Sequence, residues 1–136
     1  MKRYIKFACL FLFVFFLISV SRAETMASQK TEKVGDVLSG KVEEGVRVIE
    51  MTASRYKFEP DPIVVKLGEK VRLIATSKDV EHGYYLPEFK VNLIIKPRES
   101  SQIEFVADKE GTFTAHCSVY CGPGHEHMEG TFKVTP

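Results

Sequence analysis

From Val46 to Pro136 no stretch holds the period of a helix for a useful length. Short apolar or alternating runs follow one another instead, separated by glycine, proline and acidic turn residues. Strand candidates are Val46 to Ala53, Ile63 to Val65, Val71 to Thr76, Tyr84 to Leu86, Val91 to Ile95, Ser101 to Val106, Thr112 to His116 and Gly130 to Val134. Pro60-Asp61-Pro62, Leu67-Gly68-Glu69 and Glu110-Gly111 supply the turns between several of them. Strands of this length at regular spacing predict an all-β fold, an antiparallel sandwich or barrel with Greek-key connections.

The amino-terminal part reads differently. Lys2, Arg3 and Lys6 precede an apolar run from Phe7 to Val20, and Ser21-Arg22-Ala23 places small residues where a signal peptidase acts. The run is shorter than the roughly 20 residues that span a bilayer, so residues 1–23 read as a signal peptide, with a short membrane anchor as the alternative. Both place the folded part outside the cytoplasm. Residues 24–45, rich in Lys, Glu, Ser and Thr and broken by Gly35, Gly40 and Gly45, read as a polar linker, leaving 46–136 as the domain. Residues 1–23 carry four basic groups and no acidic one, so the remainder holds 15 basic against 18 acidic residues, a net of −3. Without a basic stripe, nucleic acid is excluded as a partner.

Between the last two strand candidates, Cys117, Cys121, His125 and Met128 place two thiolates, an imidazole and a thioether at spacings of four, four and three. Thiolate and thioether select copper over oxygen-loving cations. His82, in a turn well upstream, is the candidate for a fifth donor. A mononuclear blue site needs one thiolate, two imidazoles and a weak axial thioether. Here one sulfur is left over, whereas the count closes for two metals bridged by both thiolates, with Met128 axial on one and a backbone carbonyl on the other. Two alternatives stand beside this: a Cys117–Cys121 disulfide, since these are the only cysteines after Cys9, and a Cys2His2 zinc site. A disulfide across three residues would leave His125 and Met128 unexplained. His127 is expected to point away from the donors, and His116, preceding Cys117 on a strand, to face the opposite side. Tyr84, Tyr85, Phe89 and Phe105 read as core or rim aromatics.

The pattern Cys-x3-Cys-Gly-x2-His-x2-Met, with a histidine 35 residues before the first cysteine, resembles the CuA domain of cytochrome c oxidase subunit II. The likeness spans about Val46 to Thr135 and takes in Tyr56-Lys57-Phe58-Glu59-Pro60, the stretch from Asp79 to Phe89, and Gly111-Thr112-Phe113. It implies a cupredoxin β-sandwich with two copper ions. Cys117 and Cys121 would be the bridging thiolates, His82 and His125 the imidazoles, Met128 the axial thioether and the Val119 carbonyl the sixth donor. Three departures stand out. Val119 occupies a position where the family often has a magnesium-binding glutamate, so no magnesium is expected there. Many members have a tryptophan-rich patch for electron entry; this chain has no tryptophan, and Tyr56 and Phe58 occupy that stretch. Many also have two membrane helices before the domain, against at most one short apolar segment here.

The resemblance implies electron transfer as the copper-A subunit of a haem–copper oxidase, not catalytic alone. Electrons would come from cytochrome c or a similar donor and pass to a haem-bearing subunit I, on the outer face of the cytoplasmic membrane or in the periplasm. The alternatives are a soluble periplasmic protein delivering copper to an oxidase, and a free one-electron shuttle. Nitrous oxide reductase also uses this centre, but the 4 histidines leave no set for its second, histidine-rich copper domain.

Overall fold

A computed structural model describes residues 36–136. The expected signal or anchor segment lies outside them, and among the described residues no helix is long and apolar enough to cross a membrane. Ten strands form: β1 (Lys41–Glu43), β2 (Val46–Ser54), β3 (Lys57–Glu59), β4 (Ile63–Lys66), β5 (Lys70–Ser77), β6 (His82–Leu86), β7 (Val91–Ile95), β8 (Ser100–Val106), β9 (Gly111–His116) and β10 (Glu129–Thr135). Two 3-10 turns, Pro87–Phe89 and His125–His127, are the only helical pieces among the described residues.

The strands make two five-stranded sheets. One runs β1-β2-β5-β8, with β3 sharing the β1 edge of β2; the other runs β4-β10-β9-β6-β7. Alternation decides which side chains meet between them. In β2 Met51 and Ala53 turn inward while Glu50 is exposed; in β5 Val71, Leu73 and Ala75 do the same. From the facing sheet come Tyr84 and Leu86, then Leu93 and Ile95, then Phe132 and Val134. Phe89 joins Phe105, Phe113 and Phe132 at ring separations of 5.0 to 5.8 Å, closing the end of the sandwich away from the donor loop. The all-β sandwich expected from the strand pattern forms, in the Greek-key, cupredoxin-like arrangement that the family resemblance implies.

The sheets are mixed rather than purely antiparallel. β2 pairs with β5, and β4 with β10, in parallel. The chain leaves β2 through β3, crosses to the second sheet as β4 and returns as β5. Two reversals bring it back in its starting direction, which an ordinary hairpin cannot do. β1 lies within the stretch 24–45 read as linker, and pairs Lys41 to Val48 and Glu43 to Val46.

One ion pair locks the lead-in to both sheets. Arg47, its side chain 7% exposed, clasps Glu69 with Nε and Nη2 (Nη2 to Oε1 2.7 Å), and its Nη1 donates to the Ser39 carbonyl at 2.9 Å. Ser39 Oγ in turn accepts from the Val64 N–H in β4. The Arg47 guanidinium holds the Glu69 carboxyl below its ordinary 4.5, helped by the Lys66 N–H. The contribution is therefore complete above that ordinary value and is lost as pH falls through the lowered one. Glu69→Gln should lower unfolding stability by about 2 kcal/mol at neutral pH, because it leaves a buried guanidinium without its charge partner. The variant should also lose part of the acid dependence that the parent shows in denaturant titrations between neutral pH and pH about 3.

Candidate metal centre

The loop from Cys117 to Met128 is closed at its base by the β9–β10 ladder. His116 pairs with Glu129, and the Cys117 N–H donates to the Met128 carbonyl at 3.0 Å. Inside it, the His125, His127 and Met128 N–H groups donate to the carbonyls of Gly122, Gly124 and His125, which winds the second half tightly. Gly122 and Gly124 lie under the Tyr56 ring. A Cβ at Gly124 would meet the ring at 2.6 Å; Gly122 has φ +138° as well, and its Cβ would meet the Tyr56 hydroxyl at 2.6 Å. β6 comes alongside through the pairing of Tyr85 with His116, and so delivers His82 to the loop.

All six candidate donors gather there. Cys117 and Cys121 Sγ are 3.9 Å apart and both thiols are free, far beyond the roughly 2.05 Å of a disulfide. His82 Nδ1 lies 3.9 Å from Cys117 Sγ, and the Val119 carbonyl lies 3.2 Å from the same sulfur. On the other side, His125 Nδ1 is 3.8 Å and Met128 Sδ 3.7 Å from Cys121 Sγ. His82, Cys117 and Cys121 offer atoms all within 4.8 Å of one another, and His125 approaches from the Cys121 side. The donors thus fall into two sets of imidazole, sulfur and one weaker donor, back to back across the sulfur pair. His82 and Met128 are fully enclosed, whereas His125 is half-buried beside the exposed Tyr120, with ring centroids 5.7 Å apart. His127 is 83% exposed, and His116 is turned outward beside Glu129.

Residues around the donors fix their orientation. His82 Nε2 lies 2.7 Å from Asp79 Oδ1, and a ring that carries its proton there turns Nδ1 toward the sulfurs. Burial pushes the Asp79 carboxyl up, but hydrogen bonds from His82 and the Arg55 and Val80 N–H groups outweigh it and hold the group at about 2. Burial, then the neighbouring Cys117, pushes the Cys121 thiol up to about 11. Arg55 Nε donates to the Cys121 carbonyl at 2.7 Å, and the Ser118 N–H to the Gly83 carbonyl. Asp79 and Arg55 were not singled out from the sequence. Asp79 sits three residues before His82 and was within reach of a local argument; Arg55 is 66 residues from Cys121, and no local pattern marks it. Of the aromatics, Tyr84 is core, packed edge-on to Phe58, while Tyr85 is turned outward.

Gly124→Ala should cost about 1–3 kcal/mol through the collision with Tyr56. Combined with Tyr56→Ala, the same change should cost much less. Denaturant unfolding of the single and double variants measures that coupling.

The family described as cytochrome c oxidase subunit II, periplasmic domain, matches residues 43–134. The chain is 33% identical over 82 residues to a cytochrome c oxidase subunit 2 of Thermus thermophilus, covering 60% of this chain and 61% of the relative. It is 32% identical over 101 residues to a nitrous-oxide reductase of Ralstonia nicotianae, which covers 71% of this chain but 16% of that protein. It therefore spans less than two thirds of either relative. Among solved structures, the periplasmic domain of subunit II of cytochrome oxidase from Bradyrhizobium japonicum shares the fold at TM-score 0.63 and 23% identity, over 70% of this chain and 88% of that one. The family match runs from the last residue of β1 to Val134 in β10 and contains every candidate donor, and the chain belongs to the cytochrome c oxidase subunit II periplasmic-domain family.

Proposed function

We propose that this domain holds two copper ions and relays single electrons as the copper-A part of a haem–copper oxidase. The observation that carries the reading is the pairing of donors: His82 and the Val119 carbonyl beside Cys117, His125 and Met128 beside Cys121, with the two sulfurs adjacent. Cys117 and Cys121 would bridge the ions, His82 and His125 would each bind one, and Met128 and the Val119 carbonyl would be the weak outer donors. The donor set fits copper by its chemistry: two thiolates and a thioether are soft, and a thioether has no place in ordinary zinc sites. The enclosed His82 supports the same reading. Its Nδ1 faces Cys117 Sγ at 3.9 Å, a long and weak contact even for sulfur, so that nitrogen of a fully buried ring can still take a stronger partner.

Held by these residues, a sulfur-bridged copper pair would supply one-electron transfer with little change in bond length. The chain's contribution is rigidity. The β9–β10 ladder closes the loop, Asp79 keeps the proton of His82 on Nε2, and the sandwich core shields the His82 side from water. Both thiols must lose their protons on loading, and Cys121 holds its proton tightly, so copper affinity should fall as pH falls.

The family supports a place outside the cytoplasmic membrane beside a haem-bearing catalytic subunit, with cytochrome c or a similar carrier as donor. Co-purification from membranes with a haem protein tests that role. A monomer that hands copper to a copper-free oxidase instead would make it a carrier.

Anaerobic loading of the full chain should give two coppers per polypeptide and an EPR spectrum of one electron shared by two nuclei. Cys117→Ser and Cys121→Ser should each abolish that spectrum. One copper per chain, or a spectrum indifferent to either substitution, overturns the binuclear assignment.

A further inference from the structure

Arg55 follows β2 in the short turn into β3, far from the donor loop in sequence. Its main-chain N–H donates to Asp79 Oδ2 at 2.8 Å, and the other oxygen of that carboxylate accepts from His82 Nε2 at 2.7 Å. Its side chain reaches the opposite way, where Nε donates to the Cys121 carbonyl at 2.7 Å. One residue therefore braces the enclosed imidazole through one arm and the second thiol through the other. It also lines, with Tyr120, Cys121 and Gly122, a shallow depression of about 240 Å³.

We propose that Arg55 is a positioning residue for the metal centre, its guanidinium fixing the Cys121 backbone and holding a positive charge beside that residue. This rests on the copper reading above. A charge-assisted hydrogen bond to a carbonyl is stronger than a neutral one and sets the peptide plane from which the Cys121 side chain projects. A cation one hydrogen bond from the Cys121 carbonyl favours the centre in its less positive, reduced state. The two arms are separable by chemistry. The Asp79 arm uses the main chain and survives a side-chain substitution, so changing the side chain tests the Cys121 arm alone.

The test compares the full-length wild type, Arg55→Met and Arg55→Lys, each loaded with copper. Arg55→Met should still take up the wild-type amount, yet release it to a chelator about ten-fold faster, in the range typical of lost outer hydrogen bonds around a metal. Its midpoint potential should shift to more negative values. Arg55→Lys retains a donor and the charge, and should recover most of both. The copper-free unfolding midpoints of all three should coincide. Wild-type release and potential in Arg55→Met overturn the proposal. So does a copper-free Arg55→Met protein whose stability falls while the metal properties of Arg55→Lys fail to recover, since that marks a residue needed only for folding. A wild type that binds one copper defeats the binuclear reading instead, and the Arg55 comparison is then made on the release of that single ion.

Discussion

Everything at the candidate centre depends on the hydrogen-bonded closure of the loop from Cys117 to Met128. The His116–Glu129 pair is the last rung of the β9–β10 ladder, and the bond from Cys117 N–H to the Met128 carbonyl extends it into the loop. A loop whose two ends are held a strand's width apart has little freedom left, particularly when its second half is wound into a 3-10 turn. Spacings of four, four and three then stop being distances along a chain. They become a cluster in which each sulfur or ring nitrogen touches another at 3.7 to 3.9 Å. His82 arrives from a different strand, and reaches the cluster because β6 lies directly against β9.

Bringing polar donors together inside a sandwich carries a desolvation cost, and the surroundings of the site are arranged to limit it. One nitrogen of His82 is matched to Asp79, itself bonded to two main-chain N–H groups. The Cys121 carbonyl is matched to Arg55, and the Ser118 N–H to the Gly83 carbonyl. The Nδ1 nitrogens and the sulfurs are matched more weakly, by contacts of 3.7 to 3.9 Å to one another and, for Cys117 Sγ, by the Val119 carbonyl at 3.2 Å. That distribution separates a site built for a ligand from a core that happens to contain cysteine. In an ordinary core the histidine would be satisfied at both nitrogens and the thiols would lie against apolar neighbours.

The sandwich and its donors were legible from the sequence because both express themselves locally. Alternation in β2, β5 and β7 marks the inward faces, and the donors of the loop fall within twelve residues. What was not legible depends on contacts between distant segments. The parallel pairing of β2 with β5 follows from β4 crossing to the other sheet, which no residue in either strand announces. β3, at three residues, is too short to show a period and exists because Phe58 is drawn into the core against Tyr84. β1 carries no inward apolar face at all, its three residues being exposed, and it is held by its ladder to β2 with the Arg47–Glu69–Ser39 cluster just beyond. Arg55 shows the same limit at the site itself: its chemistry is ordinary, and only the fold places it on the Cys121 carbonyl.

The residues by which this chain departs from common family patterns lie where the geometry tolerates change. Val119 offers its main-chain carbonyl to the site, 3.2 Å from Cys117 Sγ, and a backbone oxygen is positioned by the loop whatever side chain the residue carries. Valine in place of an acidic residue therefore removes a possible carboxylate ligand without disturbing that oxygen. The absence of tryptophan is met in a similar way. Tyr56 lies so close over Gly122 and Gly124 that neither position has room for a Cβ, and an aromatic face still covers the outer side of the loop. Its hydroxyl sits against Gly122, where the backbone takes a φ of +138°. A flat ring over two glycines constrains the loop by shape, and shape complementarity needs an aromatic plane more than it needs an indole. Departures that would damage the centre are of another kind: a side chain at Gly83 would meet Ser118 Oγ at 2.0 Å, displace that hydroxyl from Asn92, and crowd the Ser118 N–H at 3.1 Å, the group that ties the loop to the strand carrying His82.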